Sequence, residues 1–215
     1  MEPLALPPAR TLLCLGAHAD DIEIGCGGTL LTWLAARAGL TVHWVVFSGA
    51  GTPREAEAQA SARRFLTGAG RSDVTVHRFR DGFFPYDAAL KDAFEALKAQ
   101  VRPDLVFTHA RDDRHQDHRA VSDLTWNTFR SHTILEYEVP KYDGDLGSPN
   151  AFVALAPETL RAKIAHLLEA FPSQRGKPWF TEETFRALPR LRGVECGAAS
   201  GVAEAFSARK LLLTP

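Results

Sequence analysis

Short apolar runs and helix-spaced segments alternate through the first 140 residues, and that alternation leaves few folds open. Thr11 to Ala17 (TLLCLGA) reads as a buried strand, and Gly25 to Ala38 as a helix with Leu30, Leu31, Leu34 and Ala38 on its stripe. Thr41 to Ser48, rich in β-branched and aromatic residues, is a second strand, followed by a helix over Arg54 to Leu66. Strands at Val74 to Phe79, Leu105 to Thr108 and Ile134 to Val139 alternate with helices at Asp87 to Val101 and Arg119 to Arg130. Strand–helix repetition of this kind predicts an α/β fold, a doubly wound and mostly parallel sheet with helices on both faces. The expected core order is 3-2-1-4-5. Beyond it, Lys141 to Asn150 is turn-rich, Pro157 to Ala170 is a helix, and the last forty residues give weak signals with a helix expected at Ala203 to Leu212.

The same topology says where to look for chemistry. In an open doubly wound sheet, ligands bind outside the carboxyl ends of the strands where the strand order reverses. For the order 3-2-1-4-5 that crevice lies between strands one and four, just after Ala17 and just after Thr108. Four of the eight histidines and five aspartates sit there, in Ala17-His18-Ala19-Asp20-Asp21-Ile22-Glu23 and in His109-Ala110-Arg111-Asp112-Asp113-Arg114-His115-Gln116-Asp117-His118.

Imidazole and carboxylate are the ligands of a borderline divalent ion such as zinc, and a catalytic site usually takes three of them and leaves a position for water. His18 and Asp21, three apart at a strand-to-helix turn, can point to one centre, with one or two histidines of the second loop completing the set. Asp20 then faces elsewhere and can serve as general base, while His118 can bind metal and His115 face the substrate. Asp113 and Asp117 are placed to orient those imidazoles, and His109, ending a buried strand, suits a supporting place. The competing reading for these acids is helix capping and loop hydrogen bonding.

Bulk composition excludes more than it assigns. With 25 Lys+Arg against 26 Asp+Glu the chain carries a formal charge of −1, which gives no basic footprint for nucleic acid. Cys14, Cys26 and Cys196 form no Cys-x-x-Cys pair, so a reducing, cytoplasmic setting is expected. No apolar stretch approaches the ~20 residues of a membrane span, and Glu2 with its neighbouring prolines is no secretory signal. Gly25-Cys26-Gly27-Gly28 lacks the Gly-x-Gly-x-x-Gly spacing of a dinucleotide turn and follows acids that would repel a pyrophosphate.

His18-Ala19-Asp20-Asp21 with Glu23, paired with His115-Gln116-Asp117-His118, resembles the PIG-L/LmbE-type N-acetylglucosaminyl deacetylases. The likeness continues through Arg54 and Glu57, Asp81, Glu136-Tyr137-Glu138, Ser173-Gln174 and Ala203-Glu204-Ala205-Phe206. It implies a Rossmann-like fold and a zinc-dependent hydrolase, one ion per chain with other divalent ions possible, in which a water activated at the metal removes the N-acetyl group of an amino-sugar small molecule. By that resemblance His18, Asp21 and His118 are metal ligands, Asp20 is the general base, His115 steadies the oxyanion and Arg54 holds the substrate. Glu23, His109, Asp113 and Asp117 support them. Residues 1–215 are expected to form one such domain, 1–140 its core and 141–215 an extension contributing to the substrate pocket.

Ala19 and Gln116 stand where the family usually or often has proline, and Ala170, Phe171 and Pro172 occupy a stretch where a histidine often precedes the Ser-Gln pair. A different metallohydrolase, of phosphoesterase type, and a non-catalytic Rossmann-type nucleotide-binding protein are the alternatives. Trp179-Phe180 is read as a pocket wall or a subunit contact, the latter implying a homo-oligomer.

Overall fold

A computed structural model describes residues 9–212, and the N-terminal residues read above for targeting lie outside it. Seven strands form one sheet in the order β3-β2-β1-β4-β5-β7-β6. The parallel core is β1 (Thr11–Gly16), β2 (Thr41–Ser48), β3 (Arg71–Phe79), β4 (Leu105–His109) and β5 (Thr133–Tyr137). Its order is the expected 3-2-1-4-5. β7 (Ala203–Ala208) runs antiparallel to β5, and β6 (Ala151–Ala154) antiparallel to β7.

Period-two alternation sorts each central strand between two cores. Leu12 and Cys14 of β1, Trp44 of β2 and Phe107 of β4 pack beneath α1 (Asp21–Ala36), α2 (Pro53–Phe65) and α5 (Pro157–Ala170). Leu13, Leu15, Phe47 and Val106 point the other way, onto α3 (Ala88–Gln100) and α4 (Gln116–Thr128). Both faces of β1, β2 and β4 are therefore apolar, which is why they read as continuous hydrophobic runs.

Three sequence expectations need correction. The first helix starts at Asp21, not Gly25, and the fourth at Gln116, not Arg119. The ends of the acidic and histidine-rich stretches, Asp21 to Glu23 and Gln116 to His118, are thus helix first turns rather than free loop. Ala203–Ala208 is a strand where a helix was expected, and α6 (Glu182–Cys196) fills part of the weakly patterned tail. Intrinsic propensity favours helix for a segment rich in Ala and Leu, but pairing on both sides by β5 and β6 overrides it.

The glycine run of α1 is packing, not a phosphate loop. A Cβ at Gly25 would sit 2.1 Å from the Tyr137 ring, and one at Gly28 would meet Leu155 and the Glu204 carboxylate. Glu204 accepts from Gly28 N–H at 2.8 Å and Thr29 N–H at 2.6 Å, and Lys163 bonds both Glu204 (2.6 Å) and the Ile24 carbonyl (2.6 Å). This fully buried ion pair ties α5 and β7 to the flank of α1, and so fixes where the start of α1 sits. No described helix is long and apolar enough to cross a membrane.

Candidate active site

Two strand ends and two helix starts meet at the predicted crevice. β1 stops at Gly16, the chain turns through His18, and α1 begins at Asp21, whose Oδ2 accepts the His18 N–H at 2.6 Å. β4 ends on His109, and α4 opens with His115 at its N-cap and His118 in its first turn. His18 Nδ1 and His118 Nε2 are 3.1 Å apart; Asp21 lies 3.4 Å from the first through Oδ2 and 3.5 Å from the second through Oδ1. Donors around a tetrahedral ion with bonds of ~2.0–2.2 Å stand ~3.3–3.6 Å from one another. The three groups sit at nearly that separation.

The far side of each imidazole is braced by a carboxylate. Asp113 Oδ2 is 2.9 Å from His118 Nδ1, and its Oδ1 accepts the His115 N–H at 2.8 Å. Asp117 lies 3.3 Å from His18 Nε2, held there by the Gly82 and Phe84 N–H groups at 2.6 and 3.1 Å. So Asp113 lies behind His118, one of the two imidazoles named for the pair of acids, while Asp117 reaches across to His18 instead. A carboxylate behind a histidine fixes the tautomer and raises the basicity of the nitrogen in front, the arrangement a metal ligand needs. Burial disfavours charge on His18 and His118, yet Asp21 and the bracing acids outweigh it and raise both above the ordinary range. The field therefore favours added positive charge, and the donor set fits a divalent cation.

The cluster is wider than three residues. Close enough to share an ion are His18, His115 and His118; Asp21, His109 and His118; and His18, Asp81 and Asp117. His109 is fully buried, its Nε2 3.0 Å from Ala17 N and 3.2 Å from Asp21 Oδ2, its ring stacked on His118 at 3.9 Å. Burial, with His118 alongside, lowers its pKa to about 4. Glu23 is buried too, but it joins none of these sets and both its oxygens lack a hydrogen-bond partner; burial raises its carboxyl well above the usual range.

Asp20 occupies the N-cap position of α1 without making a cap hydrogen bond. Its Oδ1 instead accepts from Arg54 at 2.8 Å, and its buried Oδ2 has no partner. Burial raises its carboxyl, Arg54 holding that rise in check. Arg54 is itself gripped by Glu57 at 3.1 Å, and Glu57 accepts both the Ser173 N–H and hydroxyl, at 2.9 and 2.6 Å. Arg54, expected to touch substrate, is thus brought to Asp20. His115 accepts the Asp117 N–H on Nδ1 at 3.3 Å, which in the neutral ring leaves the proton on Nε2.

Sequence reasoning missed Lys141, which lies 3.0 Å from Asp113 and 2.6 Å from Asp145 and so steadies the brace of His118. Nothing in a turn-rich stretch marks one lysine as half-buried between two acids. Asp81 was noted after the third strand but given no part; its Oδ1 is 3.2 Å from His18 Nε2. All of this opens into a cleft of about 780 Å³ lined by His18, Asp20, Asp21, His115 and His118 and, further out, by Tyr142 and Trp179. That is the size of an ordinary small-molecule site.

Comparison with known proteins agrees with this fold. The uncharacterized deacetylase YaiS of Escherichia coli is 29% identical over 167 residues, covering 74% of this chain and 89% of its own. The crystal structure of the conserved protein TT1542 from Thermus thermophilus superposes with a TM-score of 0.75 at 26% identity, over 95% of this chain and 96% of that one. The N,N'-diacetylchitobiose deacetylase from Pyrococcus horikoshii gives a TM-score of 0.69 at 23% identity, over 93% and 84% of the two chains. The family model described as PIG-L: GlcNAc-PI de-N-acetylase matches residues 13–129, from β1 through α4 and so across both halves of the cluster. More than half of the chain is matched, and the protein belongs to the PIG-L family of deacetylases.

Proposed function

We propose that this protein is a zinc-dependent hydrolase that removes the N-acetyl group from an N-acetylglucosamine-type amino sugar. One observation carries the reading: His18 Nδ1 and His118 Nε2 are 3.1 Å apart and Asp21 meets each of them within 3.5 Å through a different oxygen, with the unpartnered Asp20 Oδ2 and the His115 ring at the same cleft. His18 Nδ1, Asp21 and His118 Nε2 would hold the ion, His109 would support Asp21, and Asp113 and Asp117 would orient the two imidazoles. When bound, the cation supplies Lewis acidity, lowering the pKa of water and polarising a carbonyl.

The chain's own groups do the rest. Arg54 fixes one oxygen of Asp20, so the other is presented as base to the attacking water. As water adds to the acetamide carbon, its proton passes to Asp20 Oδ2. The developing oxyanion accepts a hydrogen bond from His115 Nε2–H. The C–N bond then breaks as the nitrogen takes the proton from Asp20, which releases the free amine and acetic acid, whose proton then passes to solvent to leave acetate. Trp179 and Tyr142 offer ring faces at the cleft mouth on which a sugar can rest.

In this reading residues 1–215 act as one domain, with 141–215 supplying Tyr142, Gln174 and Trp179 to the pocket wall. Three free thiols support a reducing, cytoplasmic setting. The test is free-amine release from a panel of N-acetylated sugars and sugar conjugates, with and without chelator. Release that chelation abolishes and zinc restores is expected; no release from any member, or chelator-insensitive release, contradicts the proposal.

A further inference from the structure

Helix α6 has two apolar sides, and the fold uses one of them. Phe185, Pro189, Arg192 and Gly193 are buried. The Arg192 guanidinium donates to both oxygens of Glu138, at 2.9 and 2.6 Å, and to the Gly147 carbonyl at 3.0 Å. A Cβ at Gly193 would lie 2.4 Å from the Gly201 carbonyl oxygen, so that side of the helix is fixed against the body of the protein. On the other side Ala187, Leu191 and Val194 are exposed, Leu191 by 55% and Val194 by 63%. Among the described residues, no other α-helix leaves a large apolar side chain exposed. The three lie four and three residues apart, which sets them in one line along the helix, as at the a and d positions of a seam between two helices. None of Glu182–Cys196 lines the active-site cleft.

The charges beside this stripe say what covers it. Arg190 and Glu195 flank it on opposite sides, next to Leu191 and Val194. Arg190 is exposed; it donates to the Gly201 carbonyl at 2.9 Å and has no acid within ion-pair distance among the described residues. Glu195 shares Arg192 with Glu138, so one positive charge serves two carboxylates, and the Glu195 side chain is 46% exposed. One flank thus carries a surplus cation and the other a surplus anion, five positions apart. In a parallel helix pair a flank residue sits beside the residue five positions further on in the other helix. Two copies of α6 side by side and parallel would therefore place each Arg190 opposite a Glu195, twice over by symmetry. An antiparallel pair sets like flanks together and leaves both charges unmatched.

We propose that the outer face of α6 is the contact surface of a two-fold symmetric homodimer, in which α6 packs parallel to that of a second copy of this chain, with Leu191 and Val194 at the seam and Arg190 paired with Glu195 of the partner subunit. Like residues meet across the axis, so the stripe is covered by its own copy. One helix pair with its flanks is a small contact by the standard of specific interfaces, and the dimer is a reversible one.

The experiment is sedimentation velocity on the full chain, loaded from about 1 µM to about 1 mM to span weak association. The wild type should pass from monomer to dimer, and L191E/V194E, which puts four carboxylates at the seam, should weaken association by about a hundredfold or more. A wild type that stays monomeric throughout, or a dimer that L191E/V194E leaves intact, overturns the proposal. Both residues are exposed in the monomer, and a melting curve checks that the variant folds. Should it not fold, the charge pair decides. R190E and E195K should each associate about tenfold more weakly than wild type. An equal mixture of the two should regain the lost affinity, because the mixed dimer restores both ion pairs; a mixture no tighter than either variant alone overturns the pairing. Orientation is read by Val194→Cys in a Cys196→Ser background. Only a parallel pair brings the two new thiols within disulfide reach, so mild oxidation should give a covalent dimer, and its absence overturns the parallel arrangement.

Discussion

Two buried charge clusters flank helix α1, and they are built on opposite principles. At its flank, Glu204 takes two backbone N–H groups and Lys163, and Lys163 takes Glu204 and a carbonyl. Each charge there has its partners. At its amino end, the His/Asp cluster leaves Asp20 Oδ2 and His109 Nδ1 without any, and brings His18, Asp21 and His118 within 3.1–3.5 Å of one another, Asp21 through a different oxygen to each histidine. A closed ion pair stabilises geometry. A cluster with unmatched donors and surplus negative charge is built to receive something. The small cavity beside Lys163 and Glu204, about 20 Å³, has room for little more than a water, whereas the cleft at the other cluster, about 780 Å³, has room for a small molecule.

The comparison can be broken first at Asp20. Asp20→Asn should retain the metal and lose roughly 10²–10⁴-fold in turnover, the usual worth of a general base; a variant with near-normal kcat would remove Asp20 from the chemistry. At the closed cluster, Lys163→Met should cost about 3–5 kcal/mol of stability by leaving Glu204 charged and unpaired. Lys163→Met combined with Glu204→Gln should recover part of that loss in a denaturant titration. If the single variant unfolds at the wild-type midpoint, the clamp is not what holds α1.

His109 supplies a pH signature of the open cluster. Its folded pKa of about 4 lies below the ~6.5 of the unfolded chain, so the unfolded state binds more protons between those values. Metal-stripped protein should therefore lose stability as pH falls from 6.5 to 4, with a His109 share of at most about 3 kcal/mol. Denaturant titrations of wild type and His109→Asn across that window should differ in slope; parallel curves would mean His109 is not held neutral. The smallest effect is expected at Lys141, one step further from the centre. Lys141→Met should weaken zinc binding about tenfold through Asp113 and His118, measured by competition with a chelating dye, and unchanged affinity would make Lys141 a purely local tie.

Legibility in the sequence followed the same division. The parallel core and the crevice were readable because β1, β2 and β4 are apolar on both faces and bounded by turns. The His and Asp residues stood out because no surface need explains their concentration at two strand ends. What stayed hidden depends on partners distant in the chain. Asp117 bracing His18, Arg54 gripping Asp20 and Lys141 supporting Asp113 join residues 99, 34 and 28 positions apart, and no local pattern encodes them. The β7 strand misread as helix is the clearest instance. Glu204 looks like an exposed helix residue until Lys163 and the open flank of α1 make it a buried one.

The central claim is that His18, Asp21 and His118 hold one divalent cation. Elemental analysis of purified wild type, His18→Ala and His118→Ala, each checked for native folding, tests it directly. About one zinc per chain is expected in the wild type and little in either variant. Normal zinc occupancy in both variants would contradict it.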